Sequence, residues 1–339
     1  MENIDWKNLG FGYLKTDWNV RVTFKDGAWG PITATQDENV SIHMASTCLH
    51  YGQEAFEGLK AFRGADGKVR IFRLEENAKR MIRSAEYTLM AAPSVELFKE
   101  AVLEAVRRNE KFIPPYGTGA SLYIRPLLIG TGAQVGVKPA KEYMLVVFVT
   151  PVGPYFKEGF RPISVMVDRF HDRAAPLGTG TVKVGGNYAA SLLSGEEGHR
   201  AGYPAVLYLD AKEKKYIDEC GAANFFAIKG GSYITPKSSS ILPSITNMSL
   251  RTLAAEDFGL KVEEREVAFD EVSTFEEAGA CGTAAVISPI GKIYDPQNGT
   301  THVIGDGVNA GPWSLRLYEK LRAIQMGEVE DIRGWNTVL

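Results

Sequence analysis

The chain has 339 residues, with 38 Lys and Arg against 41 Asp and Glu, a formal charge of −3, and 45% hydrophobic and 23% charged residues. That near-neutral balance gives no bulk electrostatic reason to bind nucleic acid or an anionic membrane, and the apolar share is ordinary for a globular protein with a sizeable core. The longest apolar run, 143–152, is of strand length, whereas a membrane-spanning helix needs about 20 residues.

In chain order, the opening MENIDWKNLG lacks the basic and apolar stretches of a secretory signal, so a cytoplasmic metabolic enzyme is expected. Residues 69–72 read as a short strand. Ala78, Met81, Ile82, Ala85 and Leu89 recur at helical spacing and predict a helix over 75–90. Ser94 can cap a second helix that buries Val95, Phe98, Ala101, Val102 and Ala105. Two strands follow, over 121–129 and 143–152. Alternation in the first puts Tyr123 and Arg125 on one face, and Pro126 places that strand at an edge or makes its end irregular. Residues 156–182, rich in Gly, Pro and Asp, read as a connector between a small α/β domain (1–155) and a larger domain (183–339). The larger domain is read with a helix after Gly186 to about Gly198, strands over 205–209, at Tyr216 and Ile217, and over 224–228, 261–267 and 284–290, and a helix over 244–258. Strands mixed with helices give an α+β or mixed α/β fold with a barrel-like β core in the second domain.

Three widely spaced cysteines (Cys48, Cys220, Cys281) suit a reducing compartment, and neither they nor the five histidines have metal-ligand spacing, so no metal is expected. Gly130-Thr-Gly-Ala-Gln-Val-Gly136 and Gly305-Asp-Gly-Val-Asn-Ala-Gly311 have the wrong spacing for a dinucleotide loop.

The most informative stretch is Thr181-Val-Lys-Val-Gly-Gly-Asn-Tyr188. A lone lysine is ordinarily a solvated charge. Lys183 stands between two valines and before two glycines, where an amine loses part of its basicity and the backbone can come close to a ligand. Both conditions favour Schiff-base chemistry.

Lys-Val-Gly-Gly-Asn-Tyr resembles the cofactor-lysine motif of fold-type-IV, class IV pyridoxal 5′-phosphate enzymes, and in particular the branched-chain amino acid aminotransferases. The likeness continues in the family's order through His50-Tyr-Gly-Gln-Glu-Ala-Phe-Glu-Gly-Leu-Lys-Ala-Phe62 and Leu122-Tyr-Ile-Arg-Pro-Leu-Leu-Ile-Gly130. It then takes in Glu219-Cys-Gly-Ala-Ala-Asn-Phe225, Leu242-Pro-Ser-Ile-Thr246 and Gly282-Thr-Ala284. It covers nearly the whole chain and implies transfer of the amino group of L-leucine, L-isoleucine or L-valine to 2-oxoglutarate, by a ping-pong route through pyridoxamine phosphate. D-amino acid aminotransferase and aminodeoxychorismate lyase are rival readings on the same cofactor, and a non-catalytic scaffold is a third.

The resemblance assigns roles by position. Lys183 forms the Schiff base and shuttles the proton at the substrate Cα. Glu219 faces the pyridine nitrogen and keeps it protonated; without the motif it reads as a surface acid beside Asp218. Tyr188 bonds the phenolic oxygen, although a core tyrosine would look the same. Arg80, Ile245, Thr246 and Thr283 hold the phosphate, the isoleucine and threonine through a helix N-terminus; alone, Arg80 is a helix surface charge. Phe11, Tyr51, Phe56, Tyr123, Arg125, Tyr155, Thr283 and Ala284 line the substrate side, where Arg125 serves the distal carboxylate of glutamate. Tyr51 and the loop of Val135 and Val137 are implied to reach a neighbouring subunit's site, and hence a homodimer with sites near its interface. Ala285 and Ser288 stand where eukaryotic-like members carry a Cys-x-x-Cys pair, so thiol regulation there is not expected, and Cys220 and Cys281 are expected to pack.

Overall fold

A computed structural model describes residues 4–6, 8–154 and 159–339. The chain forms two compact units: Met1–Tyr155 with Val182–Gly185 and Ala323–Leu339, and Phe156–Thr181 with Gly186–Arg322. Relative to the expected boundaries, Lys183 and the C-terminal tail therefore join the first unit.

The first unit is built on an antiparallel sheet. Its strands run in the order Asn336–Val338, Val69–Phe72, Leu59–Arg63, Ser121–Gly130, Tyr143–Val152, Asn19–Lys25 and Ala28–Trp29, with Glu54–Phe56 also paired to Ser121–Gly130. The helices Leu74–Tyr87 and Val95–Arg108 contribute Ala78, Met81, Ala85, Phe98, Ala101, Val102 and Ala105 to its core. Ser94 caps the second helix as expected, its hydroxyl accepting from the Leu97 N–H at 3.1 Å. The first helix stops at Tyr87, and Leu89, read as part of its apolar stripe, is 68% exposed in a left-handed conformation.

Pro126 corrects a second expectation. Ser121–Gly130 lies inside the sheet, paired along its full length with Tyr143–Val152. The Pro126 carbonyl accepts from Glu57 N at 2.8 Å, so its missing N–H falls on the same side. There the neighbouring chain breaks between Glu54–Phe56 and Leu59–Arg63, and no ladder bond is lost.

The second unit contains a closed six-strand barrel: Ile217–Cys220, Ala205–Leu209, Ile163–Asp168, Val286–Asp295, Glu277–Gly282 and Ala223–Lys229, which returns to the first. Alternate residues of these strands, among them Val165 and Val167, Leu207 and Leu209, Phe225 and Ala227, and Ala278 and Ala280, fill its core, as the two-residue strand period requires. The fold is thus mixed α/β with a barrel, as expected. The Ile163–Asp168 strand lies in the stretch read as a connector, and the helix expected after Gly186 is two helices, Gly185–Ala190 and Leu192–Arg200.

Cys220 and Cys281 are packed in this unit, 2% and 0% exposed. Burial pushes the Cys220 thiol up to about 12 and the Cys281 thiol higher still, so neither forms a reactive thiolate at neutral pH. Titration of the folded protein with an aromatic disulfide is therefore expected to consume at most one thiol, Cys48, against three after denaturation. Rapid modification of two or more in the folded state would contradict this packing.

Candidate active site

Each unit carries one set of the residues singled out above. In the first unit, Val182 and Val184, on either side of Lys183, are buried in the core. The Lys183 N–H donates to Ser84 Oγ at 2.9 Å and its carbonyl accepts from Phe56 N at 3.1 Å. Lys183 Nζ then stands over the Phe56 ring, 4.7 Å from the centroid, an apolar and π-rich setting for a cation. Gly185 donates its N–H to Glu54 Oε1, and a β-carbon at this position would run into that same carboxylate. Burial pushes the Glu54 carboxyl above its usual value, against the opposing pull of the Gly185 N–H and the Arg125 charge.

Arg80 is not a surface charge. Its Nε and one terminal nitrogen donate to Glu57 Oε1 and Oε2 at 2.7 and 2.8 Å, with the side chains 6% and 0% exposed. The bidentate pair locks the guanidinium plane. Glu57 lies in the early motif, but nothing in the sequence distinguished it as the partner of Arg80.

Arg125 and Tyr123 share a face as expected, Arg125 donating to the Tyr123 hydroxyl at 2.8 Å. The Arg125 guanidinium also stands over the Phe56 ring at 4.7 Å, and Phe11 meets Tyr123 edge-on at 5.0 Å. Gly58 has no room for a side chain, because a β-carbon there would strike the Tyr123 hydroxyl. Phe11, Phe56, Tyr123, Arg125 and Lys183 are thus one cluster around Phe56. Arg125 Nε is buried without a hydrogen-bond partner among the described residues, and a buried donor left unpaired is costly. Tyr51 belongs to a second group: its hydroxyl donates to the Val135 carbonyl, beside the exposed Val135 and Val137. Tyr155 lies outside the described residues.

In the second unit, Glu219 is 3% exposed rather than a surface acid. Its Oε1 accepts from Leu242 N at 2.7 Å and Asn224 Nδ2 at 3.1 Å, and its Oε2 lies 3.2 Å from Arg173 Nε. Arg173, itself buried, also donates through Nη2 to the Gly180 and Ser240 carbonyls. Sequence reading missed it because it sits in the Gly- and Pro-rich stretch. The available signal was that a buried acid requires a compensating cation. Tyr188 is half-buried on the Gly185–Ala190 helix. Ile245 and Thr246 begin the Ile245–Thr252 helix, which Ser244 caps at Asn247 N; the first N–H groups of a helix have no acceptor within it. Thr283 and Ala284 occupy the three-residue turn joining Glu277–Gly282 to Val286–Asp295.

Residues 54–293 match the model of the amino-transferase class IV family. The chain is 50% identical over 341 residues to a branched-chain-amino-acid aminotransferase of Haemophilus influenzae, covering 99% of this chain and 98% of that protein. Among solved structures it is similar to the branched-chain amino acid aminotransferase of Escherichia coli, with a TM-score of 0.78 and 29% identity over 95% of this chain and 99% of that one. It is also similar to the branched-chain amino acid aminotransferase of Thermobaculum terrenum in its pyridoxal phosphate form, with a TM-score of 0.78 and 26% identity over 96% and 98% of the two chains.

Proposed function

The chain belongs to the amino-transferase class IV family, and from that premise we propose that it moves the amino group of L-leucine, L-isoleucine or L-valine to 2-oxoglutarate with pyridoxal 5′-phosphate as cofactor. The observation that carries the reading is Lys183, held by backbone bonds at Ser84 and Phe56 with its amine over an aromatic ring. The resemblance assigns the other residues to the same group. Glu219 is a buried, oriented carboxylate suited to a protonated ring nitrogen, and Arg80 is a buried guanidinium held in one plane. The N-terminus of the Ile245–Thr252 helix offers N–H donors for a phosphate. Tyr188 is assigned to the phenolic oxygen and Thr283 to the phosphate.

When bound, the cofactor supplies an aldehyde that accepts the amino group and an electron-withdrawing ring. Lys183 Nζ would hold the cofactor, and its free amine would take and return the proton at the substrate Cα. Glu219 keeps the ring nitrogen protonated. Phe11, Phe56 and Tyr123 supply apolar surface for a branched side chain, and the Ala284 N–H is assigned to the substrate carboxylate.

Arg125 gives the dual specificity its test. Its buried Nε, without a partner among the described residues, is matched to the second carboxylate of glutamate and 2-oxoglutarate. Arg125→Leu is therefore expected to lower kcat/KM for glutamate by about 10–100-fold, the size of a lost hydrogen bond to a charged group, while leucine is much less affected. Equal losses for both substrates would remove Arg125 from this role.

The reading includes a homodimer, supported by the exposure of Val135 (79%) and Val137 (85%) beside Tyr51, and a cytoplasmic setting, supported by three free thiols. Among the described residues no helix is long and apolar enough to cross a membrane. Assays of L-leucine, D-alanine and aminodeoxychorismate with added pyridoxal 5′-phosphate test the whole. Turnover of L-leucine with 2-oxoglutarate is expected, and its absence would overturn the substrate assignment. A protein whose spectrum ignores the cofactor would overturn the chemistry.

A further inference from the structure

The motif Glu219-Cys-Gly-Ala-Ala-Asn-Phe225 contains a second polar residue to which no role has been given. Asn224 is 6% exposed, and its Nδ2 donates both to Glu219 Oε1 at 3.1 Å and to the Leu242 carbonyl at 3.0 Å. Both partners can only accept, so the amide has one possible orientation and Asn224 Oδ1 must face the other way. There it accepts from Asn247 Nδ2 at 3.2 Å. Asn247, 5% exposed, gives its second amide proton to Thr235 Oγ1 at 2.9 Å, and that hydroxyl passes its own proton to the Phe225 carbonyl at 2.8 Å. Asn247 Oδ1 is left to accept from the Tyr233 hydroxyl at 2.8 Å.

Every donor in the line Tyr233, Asn247, Asn224 therefore points toward the Glu219 carboxylate. Such a chain polarises each bond in the direction that stabilises negative charge at its end. Arg173 on Oε2 and Leu242 N on Oε1 act in the same sense, while the nearby Cys220 and Cys281 thiols are neutral. Asn247 is also the third residue of the helix whose first two residues are assigned to the phosphate. The same relay thus ties the carboxylate to that helix.

We infer that Asn224 and Asn247 are positioning residues that hold the shared proton on the cofactor's ring nitrogen rather than on Glu219. The inference rests on the reading of Glu219 as the partner of that nitrogen. A carboxylate and a pyridine nitrogen sharing one proton have two arrangements, carboxylate with pyridinium or carboxylic acid with pyridine. Donors directed at the carboxylate favour the first. Without them the proton moves to the carboxylate, with no change in total charge, and the ring withdraws electrons less.

The test uses the full-length protein loaded with pyridoxal 5′-phosphate labelled with ¹⁵N in the ring, whose NMR shift separates pyridinium from pyridine. The unaltered protein is expected to show the pyridinium position. Asn224→Leu and Asn247→Leu should move the proton-sharing equilibrium toward Glu219 by about tenfold, the scale of one hydrogen bond. Tyr233→Phe, which removes only the far donor and spares the folding risk of the asparagine changes, should shift it less but in the same direction. A purely structural role predicts loss of stability with no graded change in the ring signal. An unchanged signal in loaded Asn247→Leu and Tyr233→Phe would overturn the relay, provided Glu219→Gln shifts the signal. A Glu219→Gln protein that keeps the pyridinium signal would instead overturn the reading of Glu219, and the relay with it.

Discussion

Lys183→Ala is expected to yield a folded protein without transaminase activity and without the visible absorbance that borohydride removes from the unaltered, cofactor-loaded protein. The contacts that fix this stretch are its backbone bonds to Ser84 and Phe56 and the burial of Val182 and Val184, and none of them needs the lysine side chain. Loss of the proton shuttle alone costs about 10²–10⁴-fold in rate, and loss of the covalent attachment adds to it. Circular dichroism establishes that the variant is folded, and single-turnover kinetics with L-leucine read the loss. Residual activity above about one hundredth of the original would mean that another amine does the work.

The second large effect falls on stability. Glu57→Gln leaves the Arg80 charge in a site where the pair is almost entirely excluded from solvent. Removing one member of a buried ion pair costs about 3–5 kcal/mol, which should appear as a clearly lowered urea midpoint for unfolding. The double variant Arg80→Met/Glu57→Leu is expected to recover most of that midpoint, because it buries no lone charge, yet to bind pyridoxal 5′-phosphate much more weakly than the unaltered protein. Recovery of both stability and cofactor affinity would show that Arg80 serves packing only. Glu57→Gln with an unchanged midpoint would show that the pair contributes nothing to the fold.

These two residues differ in how they become visible. Lys183 is legible from its neighbours in sequence, because it stands between two valines, both buried, and before a glycine pair. The helices Leu74–Tyr87 and Val95–Arg108 are legible for the same kind of reason, a local period and a serine cap. The interior position of Ser121–Gly130 is not, because Pro126 is a barrier only if the chain beside it continues unbroken. Whether it continues depends on Glu57 and Gly58, far away in sequence.

For this protein, then, the local order of residues singled out a lysine between valines, and only the likeness of whole motifs to a known family put forward an acid, a tyrosine and a helix arginine beside it. Only the tertiary structure decided what each is bonded to. Arg80 is paired with Glu57, Glu219 with Arg173, Leu242 and Asn224, and the stack on Phe56 joins Lys183 to Arg125. The physical reason is that a buried polar group must be satisfied by whatever the fold brings to it. Apart from Asn224, in the same motif as Glu219, those partners come from segments tens of residues apart, so no periodicity announces them.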